Sequence, residues 1–375
     1  MQEKQIALLL TGGGARAAYQ VGILKAMTRL FPRNHKIPFP ILCGTSAGAI
    51  NATALACYAS CYHLGVRKLE WVWKNFHTEQ VYIANMQGTL KHLARNYFAK
   101  FQSDDIGKTQ GSLLDNRPLR RLLQAMLDFK RIDRNLHTRH LHAISVTVSS
   151  YSSHDSVSYF QGQPEQENWQ RHKRRGEPCQ LEVDHLLASA AIPLVFPVTN
   201  LGDDWVGDGS IHQLSPLSTP IHLGAEKVLI VGVGQRGQNK FNPRESIFPR
   251  SATVAGHLLD TLFADTLDAD IERLERINRT VGLLTPEQKT QTELKHIDCM
   301  LIKPSEDLQT IASKHFHNLP NGIRSLLKVV GVNENSASSL PSYLLFESSY
   351  CQDLIDLGFR DGMDQKEQIR DFLEI

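Results

Sequence analysis

The strongest chemical signal in the chain is Gly44-Thr45-Ser46-Ala47-Gly48, set between an apolar run ending at Cys43 and small residues from Ala49 onward. In a nucleophile elbow the serine occupies a strained strand-to-helix turn. The residues two before and two after it lack side chains, because the two backbones pass too closely for a Cβ. Gly44 and Gly48 meet that demand. Ser46 is therefore expected at a helix N-terminus, where the dipole and free amides favour developing negative charge. An ordinary buried serine in a Gly-rich turn is the competing reading.

A second signal, Leu10-Thr11-Gly12-Gly13-Gly14-Ala15-Arg16-Ala17, also follows an apolar run and precedes helical spacing. As Gly-x-Gly-x-x-Ala it meets a dinucleotide fingerprint, which needs an acid about twenty residues on to bind ribose. No Asp or Glu occurs between Lys4 and Lys68, while eight Lys or Arg do, so that reading lacks its specificity element. The alternative is an oxyanion loop beside Ser46, with backbone amides of Gly12, Gly13 and Gly14 turned inward where no side chains obstruct them. Arg16 would order this loop or attract an anionic head group, or it is simply a surface arginine.

A hydroxyl nucleophile needs a base. Trp205-Val206-Gly207-Asp208-Gly209-Ser210 places Asp208 between Gly207 and Gly209 after a short apolar stretch, which points to tight backbone. A solvated turn aspartate fits the same pattern. Of the 16 histidines, His212, His222 and His257 follow Asp208 and keep a Ser, Asp, His order open. His137, His140 and His142 cluster, but no second cluster completes a site, so neither metal nor other cofactor is expected.

The elements that must hold these residues follow from the apolar pattern. Runs at Ile6 to Leu10, Pro40 to Cys43, Ala143 to Val148, Val228 to Val233 and Cys299 to Ile302 alternate with helical spacing. Continuous apolarity marks strands buried on both faces, hence an α/β layout with a largely parallel sheet between helices. Helical patterns at Leu69 to Phe76, Leu90 to Phe101 and Leu119 to Leu127 form an excursion over residues 66–127, a candidate lid. Trp71, Trp73, Phe76 and Tyr82 there read as core packing or as a lipid contact. Gln161 to Cys179, with Arg171, Lys173, Arg174 and Arg175, reads as a surface loop. Val254, Leu258, Leu262, Leu267, Ile271, Leu274 and Ile277 form one stripe of a long C-terminal helix.

Composition excludes several classes. The 375 residues are 41% hydrophobic and 21% charged, which suits a globular protein too long for one core. A net charge of +2 gives no global field for nucleic acid. The six cysteines lack metal-type spacing and suit a reducing compartment, with Cys57 and Cys61 on one helix face. The first apolar run is too short for a secretory signal. Residues 37–66 carry no formal charge, but their prolines and polar residues fit a strand-turn-helix better than a membrane span. A cytoplasmic protein is expected.

The glycine loop, the Gly-x-Ser-x-Gly elbow and the Asp-Gly turn, in this order, resemble the patatin-like phospholipase family. Ala188-Ser189-Ala190-Ala191-Ile192-Pro193-Leu194-Val195-Phe196-Pro197 is similar to the family's segment before the Asp turn. The resemblance implies a three-layer α/β/α fold: a catalytic domain over residues 5–235 and a mostly helical region over 236–375. It also implies a Ser–Asp dyad, with Ser46 as nucleophile, Asp208 as base, and Gly12, Gly13, Gly14 and Arg16 as oxyanion loop. Ala17, Ser210 and Leu214 depart from the family pattern without removing a reacting group. The implied activity is lipid acyl hydrolysis, of phospholipase A or lysophospholipase type. The substrate would be a phospholipid or other acyl-ester lipid met by peripheral contact at the inner membrane face. A soluble ester or thioester substrate is the alternative. A non-catalytic lipid-binding or partner-binding module is the alternative of another class.

Overall fold

The structure, a computed structural model, describes residues 5–83, 112–193, 195–234, 251–329, 331–332 and 338–375. Its strands are β1 (Ile6–Leu10), β2 (Ile41–Thr45), β3 (Ala143–Ser150), β4 (Ser156–Gly162), β5 (Trp169–Arg171), β6 (Arg174–Pro178), β7 (Thr199–Leu201), β8 (Asp204–Asp208), β9 (Lys227–Val231) and β10 (Asp298–Ile302). They form one sheet in the order β10-β9-β1-β2-β3-β4-β6-β5, with β8 joined to β3 and β7 to β8. The five apolar runs are the neighbours β10, β9, β1, β2 and β3, all parallel. Beyond β3 the sheet turns mixed, because β4 is antiparallel to β3 and β5 antiparallel to β6.

The helices that position the candidate site are α1 (Ala18–Met27), α2 (Ala47–Cys57), α3 (Tyr62–Lys74), α4 (Arg117–Met126), α5 (Val183–Ser189), α6 (Ser251–Asp260), α7 (Thr266–Leu283) and α8 (Ser348–Asp364). Period-two alternation assigns the two sheet faces. Leu8, Leu10, Leu42 and Ile144 share a core with α1, α2, α3 and α8. Ala7, Leu9, Ile41 and Cys43 share another with Leu217, Leu223, Leu267 and Leu274. Both faces are thus covered, which is why the strands read as unbroken apolar runs. Each buried leucine contributes about 2 kcal/mol relative to exposure.

The C-terminal region contributes to this body directly. β10 extends the parallel sheet beside β9. Helices α1 and α8 cross at glycines: a Cβ on Gly22 would lie 2.2 Å from the Ile355 carbonyl oxygen, and one on Gly358 2.2 Å from that of Tyr19. The Tyr19 hydroxyl donates to Asp361 Oδ2 at 2.9 Å across the same crossing.

Three expectations change. Gln161 to Cys179 contains the paired strands β5 and β6; they lie at the sheet edge, where one polar face hides strand character. Cys57 closes α2 while Cys61 precedes α3, so they share no helix. The C-terminal stripe is broken by a π-helical turn, Thr261–Asp265. That turn shifts the helical register, so Leu258 is exposed while Leu259 and Phe263 are buried. Of the two readings of the aromatic group, core packing holds for Trp73, Phe76 and Tyr82, which are buried, while Trp71 is exposed. The expected Leu90 to Phe101 helix lies outside the described residues. Among the described residues no helix is long and apolar enough to cross a membrane.

Candidate active site

Ser46 stands between β2 and α2 with φ 54° and ψ −130°, a left-handed backbone that a side-chain-bearing residue adopts only when its surroundings enforce it. Those surroundings are the flanking glycines. A Cβ on Gly44 would lie 2.5 Å from Ala49 Cα, and one on Gly48 2.3 Å from the Leu10 carbonyl oxygen. Helix α2 can therefore leave Ser46 only by passing directly against β1 and β2. The Ser46 amide donates to Ser189 Oγ at 2.8 Å, and Ser189 Oγ donates to the Thr147 carbonyl at 2.6 Å. This pins the turn to α5 and β3. The sequence reading picked out the Ser189 segment but gave the hydroxyl no task.

Asp208 ends β8, whose antiparallel register sets it opposite Val148 near the C-terminal end of β3. Because β3 is the parallel neighbour of β2, Asp208 and Ser46 emerge at the same end of the sheet. Gly209 allows this approach, since a Cβ there would sit 2.2 Å from the Thr147 carbonyl oxygen. Both side chains are almost wholly buried. Asp208 Oδ1 accepts the Ser210 amide at 3.0 Å, while Oδ2 has no hydrogen-bond partner among the described residues. Burial pushes the Asp208 carboxyl up to about 6, against the downward pull of the Ser210 amide and the Ser46 hydroxyl. Ser46 is thus near enough to act on this carboxylate, although no hydrogen bond closes between them.

The histidines stand apart. His212 packs against His154, with ring centroids 6.1 Å apart, and His222 stacks on Trp169 at 4.2 Å. His257 is exposed on α6. None hydrogen-bonds Ser46 or Asp208 among the described residues. His140 Nδ1 contacts Thr138 Oγ1, and no group of three or more His, Cys, Asp or Glu among the described residues is placed to hold a metal.

The glycine loop lies beside the elbow at the end of β1. The amides of Gly12, Gly13 and Ala47 have no acceptor among the described residues. Gln20 Nε2 donates to the Thr11 carbonyl at 2.8 Å, and Asn51 Nδ2 donates to Gln20 Oε1 at 3.0 Å. The buried Trp73 Nε1 donates to Asn51 Oδ1 at 2.9 Å, so one polar chain joins α1, α2 and α3 to the loop.

Arg16 differs from both surface readings. It is 3% exposed and turned away from solvent. Its Nε donates to Ser342 Oγ at 2.8 Å, and its Nη1 donates to Asp260 Oδ1 at 3.0 Å and to Tyr343 Oη at 2.8 Å. Its guanidinium lies 3.9 Å from the centroid of the Tyr343 ring. Burial opposes this charge, but Tyr343 and Asp260 raise its pKa above the ordinary value. The stretches beginning at Asp260 and at Ser342 resemble C-terminal regions of bacterial family members, but their link to Arg16 escaped sequence reasoning, because no local motif joins residues so distant in the chain.

An apolar cavity adjoins Ser46 between α2, α3 and α4, walled by Ile50, Val72, Trp73, Leu122, Phe196 and Phe346. Its walls are hydrocarbon, and it encloses only about 40 Å³.

A family model described as patatin-like phospholipase matches residues 8–221. Among solved structures, the chain is similar to VipD from Legionella pneumophila at 13% identity and a TM-score of 0.42, covering 98% of this chain and 67% of that one. It is also similar to human GIVD cytosolic phospholipase A2 at 10% identity and a TM-score of 0.46, covering 99% of this chain and 59% of the human one. A comparison with curated proteins gives no match.

Proposed function

This chain belongs to the patatin-like phospholipase family, and on that premise we propose that it is a lipid acyl hydrolase of phospholipase A or lysophospholipase type, working through a Ser46–Asp208 dyad. The observation that carries the dyad is the buried, unpartnered Asp208 Oδ2 at the sheet end where the strained Ser46 turn emerges. Ser46 Oγ attacks the ester carbonyl carbon as its proton passes to the Asp208 carboxylate. The bond to the alcohol oxygen breaks, and Asp208 returns the proton to that leaving group. Asp208 then takes a proton from water, whose oxygen attacks the acyl carbon; the bond to Ser46 Oγ breaks, Asp208 returns the proton to that oxygen, and the fatty acid and free Ser46 are released. With its carboxyl near 6, Asp208 is mostly ionised at neutral pH yet still basic enough to accept the proton.

The free amides of Gly12 and Gly13 are oriented donors for the oxyanion, each worth about 3 kcal/mol of transition-state stabilisation. The apolar walls of the small cavity beside Ser46 favour a hydrocarbon acyl group over a polar one. The test is covalent labelling of Ser46 by a long-chain fluorophosphonate, alongside fatty-acid release from phospholipid vesicles and from a short-chain ester. Ser46→Ala should abolish both, while alanine at His212, His222 or His257 should leave turnover largely intact. Equal turnover by wild type and Ser46→Ala would refute the reading.

A further inference from the structure

The glycine loop meets the distant C-terminal segment at three successive points. A Cβ on Gly12 would lie 2.7 Å from the Phe263 ring. Gly14 has φ +53°, and a Cβ there would lie 2.3 Å from the Tyr343 carbonyl oxygen. Arg16 gives its guanidinium to Asp260, Ser342 and Tyr343. The contacting groups also bind one another: Phe263 stacks on Tyr343 at 5.2 Å, and Tyr343 Oη donates to Asp260 Oδ1 at 2.7 Å. Asp260 and Phe263 flank the start of the π-turn Thr261–Asp265, a helix irregularity that commonly marks functional positions.

From this juxtaposition we infer that residues 260–263 and 342–343 are positioning elements for the oxyanion loop, with Arg16 as the key that seats the loop on them. All six residues lie outside the span 8–221 that the family model matches. Arg16 therefore acts on the reaction through the loop backbone, because its Nε and Nη1 donors are spent on the clamp and its side chain is 3% exposed. An oxyanion site works by preorganisation, so a small displacement of its amides weakens charge stabilisation without changing how the acyl chain binds.

This inference rests on the proposed acyl transfer, and its test separates the two. Asp260 is partly exposed, so Asp260→Asn should fold while weakening the clamp. Arg16→Lys keeps the charge but loses the planar fork that reaches several acceptors. The expected result is a fall in kcat of about tenfold for Asp260→Asn and about a hundredfold for Arg16→Lys, with KM nearly unchanged. Fluorophosphonate labelling should slow in parallel. In hydrogen exchange, amides 11–17 should exchange faster in Asp260→Asn, while amides 44–50 keep their wild-type rates. Unchanged exchange over 11–17 overturns the inference, and so does a stability loss with kcat intact. Wild type that neither labels nor releases fatty acid refutes the hydrolase reading, while exchange still decides the clamp.

Discussion

The elbow and the glycine loop lie side by side, but they are held in place by opposite means. The elbow is fixed by backbone exclusion from close neighbours: Gly44 against Ala49, Gly48 against Leu10, and Ser189 bridging Ser46 to Thr147. All these residues fall within 8–221. The loop is tied locally at Thr11 by Gln20, but beyond it is held by residues from far along the chain; the bonds from Arg16 span 244, 326 and 327 residues. The strain at Ser46 is therefore built into the core, whereas the glycine loop, on the proposed reading the oxyanion site, depends on how the C-terminal segment is seated.

Removing the base should have the largest effect on the elbow side. Asp208→Asn is expected to lower kcat about 10,000-fold or more, as loss of a member of a concerted catalytic group does. The same variant should reveal what the charge costs. Burial raises the folded pKa of Asp208 from an ordinary 3.8 to about 6. A raised carboxyl contributes stability that is fully present below the unfolded pKa and lost as pH rises through the folded one. Asp208→Asn should therefore be the more stable protein at pH 8, by about 3 kcal/mol, in parallel urea titrations. Equal or lower stability for the variant at pH 8 would show that the carboxylate is well solvated or paired.

On the loop side, Gly14→Ala should leave a folded protein with kcat reduced about 100-fold to 1,000-fold. The new Cβ would strike the Tyr343 carbonyl while the backbone stays left-handed, so the loop has to move. Gly48→Ala is the contrasting change: its Cβ would strike two backbone carbonyls, of Leu10 and Thr11, within the core. There the expected result is loss of soluble protein rather than a folded, slow enzyme. Should the two variants behave alike, the contrast between a core-built elbow and a remotely seated loop fails.

This contrast also explains what the sequence disclosed. The elbow was legible because its constraint is local: two glycines at fixed spacing flank the serine, after a buried strand. β1, β2, β3 and β9 were legible because both their faces are covered, and β10, half-buried at the opposite edge, because its run Cys299 to Ile302 is apolar. The edge strands β5 and β6 were not, since their polar residues carry no burial pattern. Ordering of the loop by Arg16 was one of the roles the sequence offered, but its partners were not legible, because Asp260, Ser342 and Tyr343 approach it only in the folded chain. Asp208 sat between, flagged by its flanking glycines yet separable from a turn aspartate only by its burial and strand register.

A smaller effect should appear in the pH profile. The dyad needs Asp208 ionised, so kcat/KM should be flat above pH 7 and fall tenfold per unit at acid pH, with a midpoint near 6. Arg16→Lys should lower the plateau without moving that midpoint, because the clamp acts on the loop and not on the carboxylate. A midpoint that shifts in this variant would mean the two regions are electrostatically joined.

Tyr343→Phe should produce the smallest effect and so tests the contrast most finely. The change removes only the hydroxyl, which accepts from Arg16 Nη1 at 2.8 Å and donates to Asp260 Oδ1 at 2.7 Å. The direct Arg16 to Asp260 bond, the ring beneath the guanidinium and the stack on Phe263 all remain. Losing a hydroxyl from a bonded network costs about 1 kcal/mol. The expected result is a threefold to fivefold fall in kcat, roughly the rate equivalent of that energy, with KM unchanged. A still smaller change would assign the work to Asp260 and the stacked rings, whereas a hundredfold loss would make the hydroxyl the centre of the clamp, with Arg16 and Asp260 each bound mainly to it.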